Sequence, residues 1–157
     1  MTEIKAKQIG SRTALLSASI GTLIAQTIMT FLVSGEVNIL KAFLWFTTVN
    51  YKLNLFVGIT LLFTASYFYG QIAGKQILIR NRNHILVGCL TGILVLITTA
   101  FLSSWVGFSQ EGIDNIGSND DPFEDYIVKP FFWVSIIGLI PAILVGIWFG
   151  SRIKRMR

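Results

Sequence analysis

The sequence is poor in charge, histidine and cysteine, and each shortage narrows what the chain can be. Charged residues make up 13% of the 157, against about 25% in soluble domains, which is too few to cover a water-facing surface. The single cysteine, Cys89, excludes an internal disulfide and a cysteine metal cluster. The single histidine, His84, excludes a multi-histidine site. The four longest apolar runs contain no Asp, Glu, Lys, Arg or His. Ionisable groups inside a span mark proton relays and ion paths, so their absence argues against proton-coupled transport and against acid–base or metal catalysis within a membrane. No cofactor is expected, and an enzyme is the least favoured class.

What is present is hydrophobic, 53% of the chain. The runs are Ala14–Val33, Leu53–Gly74, Ile85–Phe108 and Phe131–Gly150. About twenty residues rising about 1.5 Å each cover roughly 30 Å, the hydrocarbon thickness of a bilayer. With no water to satisfy the backbone there, continuous apolar runs read as helices; a barrel would need short alternating strands. The expectation is an all-α membrane protein, a four-span antiparallel helix bundle in one domain, residues 1–157. The first run is too long for the apolar part of a secretory signal and reads as a retained span. Between spans one and two, Asn38, Lys41, Trp45, Thr48 and Lys52 share one helical face and Leu40, Phe43, Leu44 and Tyr51 the other. That is the pattern of an amphipathic helix lying in the interface.

Charge sets the orientation. Lys5, Lys7, Arg12, Lys75, Arg80, Arg82, Arg152, Lys154, Arg155 and Arg157 fall on the side of the N-terminus, with Glu3 as the lone acid. The other side has Lys41, Lys52 and Lys129 against Glu36, Glu111, Asp114, Asp120, Asp121, Glu124 and Asp125. Basic residues gather on the cytoplasmic side of inserted helices, so both termini and the 75–84 loop belong there, in a membrane such as the bacterial cytoplasmic one. Anionic lipid accounts for the net charge of +5, and no nucleic acid is needed as a partner. Phe43, Trp45, Phe46, Tyr51, Trp105, Phe108, Phe131, Phe132 and Trp133 fit an outer aromatic belt; Tyr67, Tyr69 and Trp148 fit an inner one.

Three spans carry glycines four apart: Gly70–Gly74, Gly88–Gly92 and Gly146–Gly150. Such pairs let another helix backbone approach, within the chain or at a subunit interface. All lie toward the cytoplasmic ends, so the bundle is expected to be pinched there and splayed outside. Span one carries a weaker series, Ser17, Gly21 and Ala25. The stretches 70–77 and 146–153 match in their glycines, a nearby basic residue and an isoleucine. Apolar helices resemble one another by composition, so that match reads as chance.

Chemistry-bearing residues are few. Gln26, deep in span one, should hydrogen-bond a neighbouring helix, a pairing worth about 0.6–2 kcal/mol. Pro141 interrupts the hydrogen-bond ladder of span four and predicts a kink or hinge. The outer loop concentrates Glu111, Asp114, Asp120, Asp121, Glu124 and Asp125, a candidate surface for a cation or a basic partner, although the ordered spacing of an EF-hand is missing. The sequence favours a non-enzymatic accessory or interaction subunit, acting through helix packing and the acidic loop. Its partners would be membrane lipids and a second copy or another membrane protein. The alternative is a small oligomeric channel or carrier.

The charge distribution predicts that reporters fused after Arg157 or within 75–84 behave as cytoplasmic. A cysteine placed at Ser118 should be labelled by an impermeant reagent from outside only. Labelling from the cytoplasmic side alone would invert the topology.

Overall fold

The computed structural model describes residues 1–33, 43, 44, 46, 52–114, 116 and 121–156, with the backbone alone at 32, 33 and 111. All regular structure among them is helical: α1 (Glu3–Val33), α2 (Lys52–Leu78), α3 (His84–Gly107) and α4 (Lys129–Arg155). All four are long and apolar enough to cross a membrane. Packing is most extensive between α3 and α4 and between α1 and α2, followed by α2 with α3 and α1 with α4. The helices therefore follow one another around a ring. Most of the interfacial helix expected between α1 and α2 lies outside the described residues, as do Glu36, Lys41, Trp45, Tyr51 and Asp120.

The helices overrun the apolar runs. Residues 3–13, read from the sequence as a polar lead-in, form the first turns of α1 and bury one face of it: Ala6 is 0% exposed and Thr13 1%. A run of hydropathy marks where lipid can touch a helix, whereas the helix itself continues while its backbone bonds and one packed face persist. The core lies at this same end, where Ala6, Ala14, Ala73, Ile77, Leu78, Phe149 and Ile153 form one buried cluster. Toward the other end large side chains such as Leu23, Phe56, Phe132 and Ile140 are exposed.

Glycine explains the pinch. A Cβ added to Gly88 would strike the carbonyl oxygen of Gly146 and lie 3.0 Å from Gly150 Cα. Added to Gly92, it would strike the carbonyl oxygen of Ala142. The same contact recurs between α1 and α2, through a residue that the apolar-run boundaries excluded. A Cβ on Gly10 would strike the Gly70 carbonyl oxygen and lie 2.9 Å from Gly74 Cα. Gly74 faces the Ala6 carbonyl as Gly150 faces that of His84. Ala6 and Gly10 thus hold in the first helix pair the places that His84 and Gly88 hold in the second. Ala73 and Ile77 correspond in the same way to Phe149 and Ile153, all four buried. The likeness of 70–77 to 146–153 therefore has a packing basis: both stretches present the same backbone contact. Gly21, by contrast, has nothing within 4 Å of its would-be Cβ, so the small-residue seam of α1 is Ala6–Gly10–Ala14.

The joints are chemically specified. Between α2 and α3 the chain turns through Asn81 at φ 52, a left-handed conformation that asparagine tolerates. The turn is closed by Arg80 N–H to the Lys75 carbonyl at 3.2 Å and Arg82 N–H to that of Gln76 at 3.0 Å. Asn83 then caps α3, its Oδ1 accepting from Ile85 N–H at 3.0 Å. The loop expected over 109–129 is shorter than its composition suggests. Wide helical turns, π in type, extend α3 over Phe108–Gly112 and lead into α4 over Glu124–Val128. Asp121 Oδ1 accepts from Phe123 N–H at 3.0 Å and Glu124 N–H at 3.3 Å, with Pro122 between. That is an aspartate N-cap followed by proline, a helix start written among the acids.

Gly10 and Gly21 give opposite expectations. Gly21→Ala should stabilise by about 0.5–1 kcal/mol, because alanine adds helix propensity where there is room. Gly10→Ala, Gly92→Ile and Gly146→Ile should destabilise by about 1–3 kcal/mol or more as backbones are forced apart, while Leu94→Ile should be mild. Unfolding in mixed detergent micelles would read the order; equal tolerance at Gly10 and Gly21 would deny the seam.

Candidate functional site

The two ends of the bundle carry the chemistry. At the acidic end Trp105 sits at the centre of an aromatic platform, edge-on to Phe101, Phe108 and Phe123 with ring centroids 6.0 to 6.4 Å apart. Phe101 in turn meets Phe131 at 6.1 Å. Edge-to-face pairs of this kind add about 0.5–1.5 kcal/mol each beyond burial. Ile127, in the turns that lead into α4, is 3% exposed. On this platform stand the carboxylates. Glu124 lies 3.7 Å from Lys129 Nζ, and Asp125 accepts a hydrogen bond from the same ammonium. Asp125 first, then Glu124, holds the Lys129 pKa above its ordinary value, at a point before the apolar run of α4 begins. Asp121 is engaged as the helix cap, and Asp114 is exposed with no cation within salt-bridge distance among the described residues. Asp120 and the side chain of Glu111 are outside the described residues. Among the described residues no three His, Cys, Asp or Glu side chains converge as a metal site. The acids present a charged surface.

The polar residues within the spans mostly satisfy themselves. Thr27, Thr30, Thr60, Thr64 and Thr91 donate to the carbonyl four residues back in their own helix, at 2.7 to 2.9 Å. Gln26 reaches forward along the chain. Its Nε2 donates to the Phe43 carbonyl at 2.6 Å, which ties α1 to the connection that follows it. Tyr69, expected in a headgroup belt, hydrogen-bonds Thr98 across α2 and α3 at 3.1 Å. Pro141 is half-buried, and α4 runs without a break through it from Lys129 to Arg155. Gly70, Gly74, Gly88, Gly92, Gly146 and Gly150 are all taken up in seams within the chain.

At the basic end two clefts open. One is lined by Lys7, Lys75, Gln76 and Arg80, and Glu3 bridges its two lysines, 3.0 Å from each Nζ. The other is lined by Arg82, His84 and Lys154. Sequence reasoning counted these cations for topology and missed that they gather in clefts; only the turn at Asn81 and the overrun of α4 bring residues 82 and 154 together. Nearby the Arg152 guanidinium stacks 5.1 Å over the Trp148 ring.

Glu3 stands well before the apolar run of α1. Hydrogen bonds from Lys75 and Lys7 hold its carboxyl below the ordinary 4.5. A carboxylate with a depressed folded pKa contributes stability that is full above the unfolded pKa and lost as pH falls through the folded one. The stability difference between wild type and Glu3→Gln should therefore be present at pH 7 and shrink steadily below about pH 4.5. An unfolding series from pH 7 to pH 3 checks this; a constant difference would remove Glu3 as the link between α1 and α2.

Comparison with protein-family models, with curated proteins and with solved structures finds no match to this chain.

Proposed function

We propose that the chain is a multi-pass protein of a cell membrane that works as a non-enzymatic interaction subunit, with its acidic end as the surface that meets a partner. The observation that carries the reading is the polarity of charge along one bundle. Ala6 meets Gly74 and His84 meets Gly150, which supports an antiparallel order in which the N-terminus, the α2–α3 turn and the C-terminus share one end. That end holds the excess of lysine and arginine, so it is the cytoplasmic one by the positive-inside rule. The opposite end then faces outward and offers carboxylates on a fixed aromatic platform, partly offset by Lys129 alone among the described residues.

Two further observations favour interaction over conduction. The glycine seams are occupied within the chain, which leaves the acidic end as the distinctive outward surface. Apart from Thr99, which is buried without a partner among the described residues, most hydroxyls of α1, α2 and α3 turn to their own backbones and draw little on an aqueous path. A field of carboxylates raises the on-rate of a basic partner and weakens as salt shortens the screening length to below about 8 Å.

The test removes four of the six acidic charges: Asp120→Asn, Asp121→Asn, Glu124→Gln and Asp125→Asn together. Asparagine can still cap at position 121, so expression and helix content should be unchanged. Crosslinking in the native membrane followed by mass measurement in nanodiscs should give a salt-sensitive complex with the wild type and none with the fourfold variant. A complex that survives in the variant removes the loop from the interface. A homo-oligomeric ring with ion conductance would favour the channel.

A further inference from the structure

We propose that the cleft between the α2–α3 turn and the end of α4 binds a phosphate group, carried by an anionic lipid headgroup or free in solution. Arg82 comes from the turn, His84 from the first residue of α3, and Lys154, some seventy positions later, from the last turn of α4; they line one cleft of about 310 Å3. The cleft differs from its neighbour, lined by Lys7, Lys75 and Arg80, in that no carboxylate among the described residues bridges its cations. In the neighbouring cleft Glu3 bridges Lys7 and Lys75. Here neither Arg82 nor Lys154 has a carboxylate within 4.0 Å among the described residues, and no acid lines the wall. Two uncompensated cations converging on one space repel each other, and an anion placed between them removes that repulsion.

The donor set matches phosphate. A guanidinium offers a planar fork to two phosphate oxygens, an ammonium offers a compact point charge, and imidazole adds an N–H. The cleft also opens at the N-terminus of the 24-residue α3, whose dipole adds partial positive charge in the same direction. Because Asn83 already satisfies Ile85 N–H, the side-chain cations carry the binding and the helix end only assists. The remaining wall is partly apolar, through Ile77 and Ile85. A phosphate ester with a hydrocarbon portion would fit that lining, the ester group meeting the cations and the chain following Ile85 along the outside of α3.

The full chain can be tested by native mass spectrometry, with dioleoyl phosphatidic acid and inorganic phosphate as probes and phosphatidylcholine as the neutral competitor. Wild type should retain phosphatidic acid at least about tenfold over phosphatidylcholine, and Arg82→Gln with Lys154→Gln should abolish that preference. Lys5→Gln with Arg12→Gln removes the same charge from α1 and should change it less than about twofold. Helix content by circular dichroism accompanies each variant; Lys154→Gln alone, on an exposed last turn, reads the same loss if the double variant does not fold. Displacement of the lipid by millimolar inorganic phosphate assigns the site to the phosphate ion itself. Retention of the lipid under that challenge assigns it to the headgroup of a lipid. Equal weakening by both double variants means diffuse surface charge and overturns the site, as does a wild type with neither lipid preference nor saturable phosphate binding.

Discussion

Where Gly10 meets Gly70 and Gly88 meets Gly146, two helix backbones touch with nothing between them, and the rest of the bundle is arranged around that contact. In a lipid environment, burying apolar side chains against one another gains little, because lipid tails are equally apolar. Association then depends on close dispersion contact and on weak Cα–H to carbonyl bonds, both of which require backbones in near contact. The chain meets that requirement twice, with the same geometry. Each seam draws one helix pair together at the basic end, and the buried cluster of Ala73, Ile77, Phe149 and Ile153 joins the two pairs. Toward the acidic end aromatic rings around Trp105 pack edge to face, beside the buried small residues Ala100 and Ser104.

The seams also organise the electrostatics. Pinching the helices at one end gathers the basic residues of α1, the α2–α3 turn and α4 into a small perimeter. Like charges held close repel, and the structure relieves this in different ways at different points. Glu3 bridges Lys7 and Lys75 and offsets one of their two charges, and the Trp148 ring receives Arg152. Arg82 and Lys154 have no such internal partner among the described residues. At the far end the sign is reversed and the relief is smaller: Lys129 serves both Glu124 and Asp125, while Asp121 spends its carboxylate on two backbone N–H groups. Charge left uncompensated at both ends of a bundle is available to ligands and partners.

What could be read from the sequence follows from which constraints are local. The four helices long and apolar enough to cross a membrane were legible because bilayer thickness sets a length that hydropathy records directly. The glycine pairs of α2, α3 and α4 were legible because a four-residue period fixes a face. Their counterpart in α1 was not, since Ala6 and Gly10 lie before the apolar run, which begins at Ala14. The repeat Ala6–Gly10–Ala14 was in plain view; the assumption that packing ends where lipid contact ends concealed it. The acidic loop misled in a similar manner. Its density of carboxylates, glycine and proline reads as coil, yet Asp121-Pro122 followed by Glu124 is a helix-start signal. Gln26 and Tyr69 were beyond sequence reasoning, because each bond depends on where a distant segment comes to rest: Phe43 for one, Thr98 for the other.

The clefts at the basic end show why topology signals can hide sites. Positive-inside counting treats every lysine and arginine in a short loop as equivalent, and for insertion they nearly are. After folding they are not. Lys75 and Arg82 sit seven positions apart on one turn, yet the first is bridged to Glu3 and the second faces Lys154 across open space. Asn81, at φ 52, stands between them in the turn from α2 to α3. The folded chain thus sorts cations that look alike in the sequence into two groups. One group fastens α1 to α2, and the other is left facing a cleft that an anion would complete.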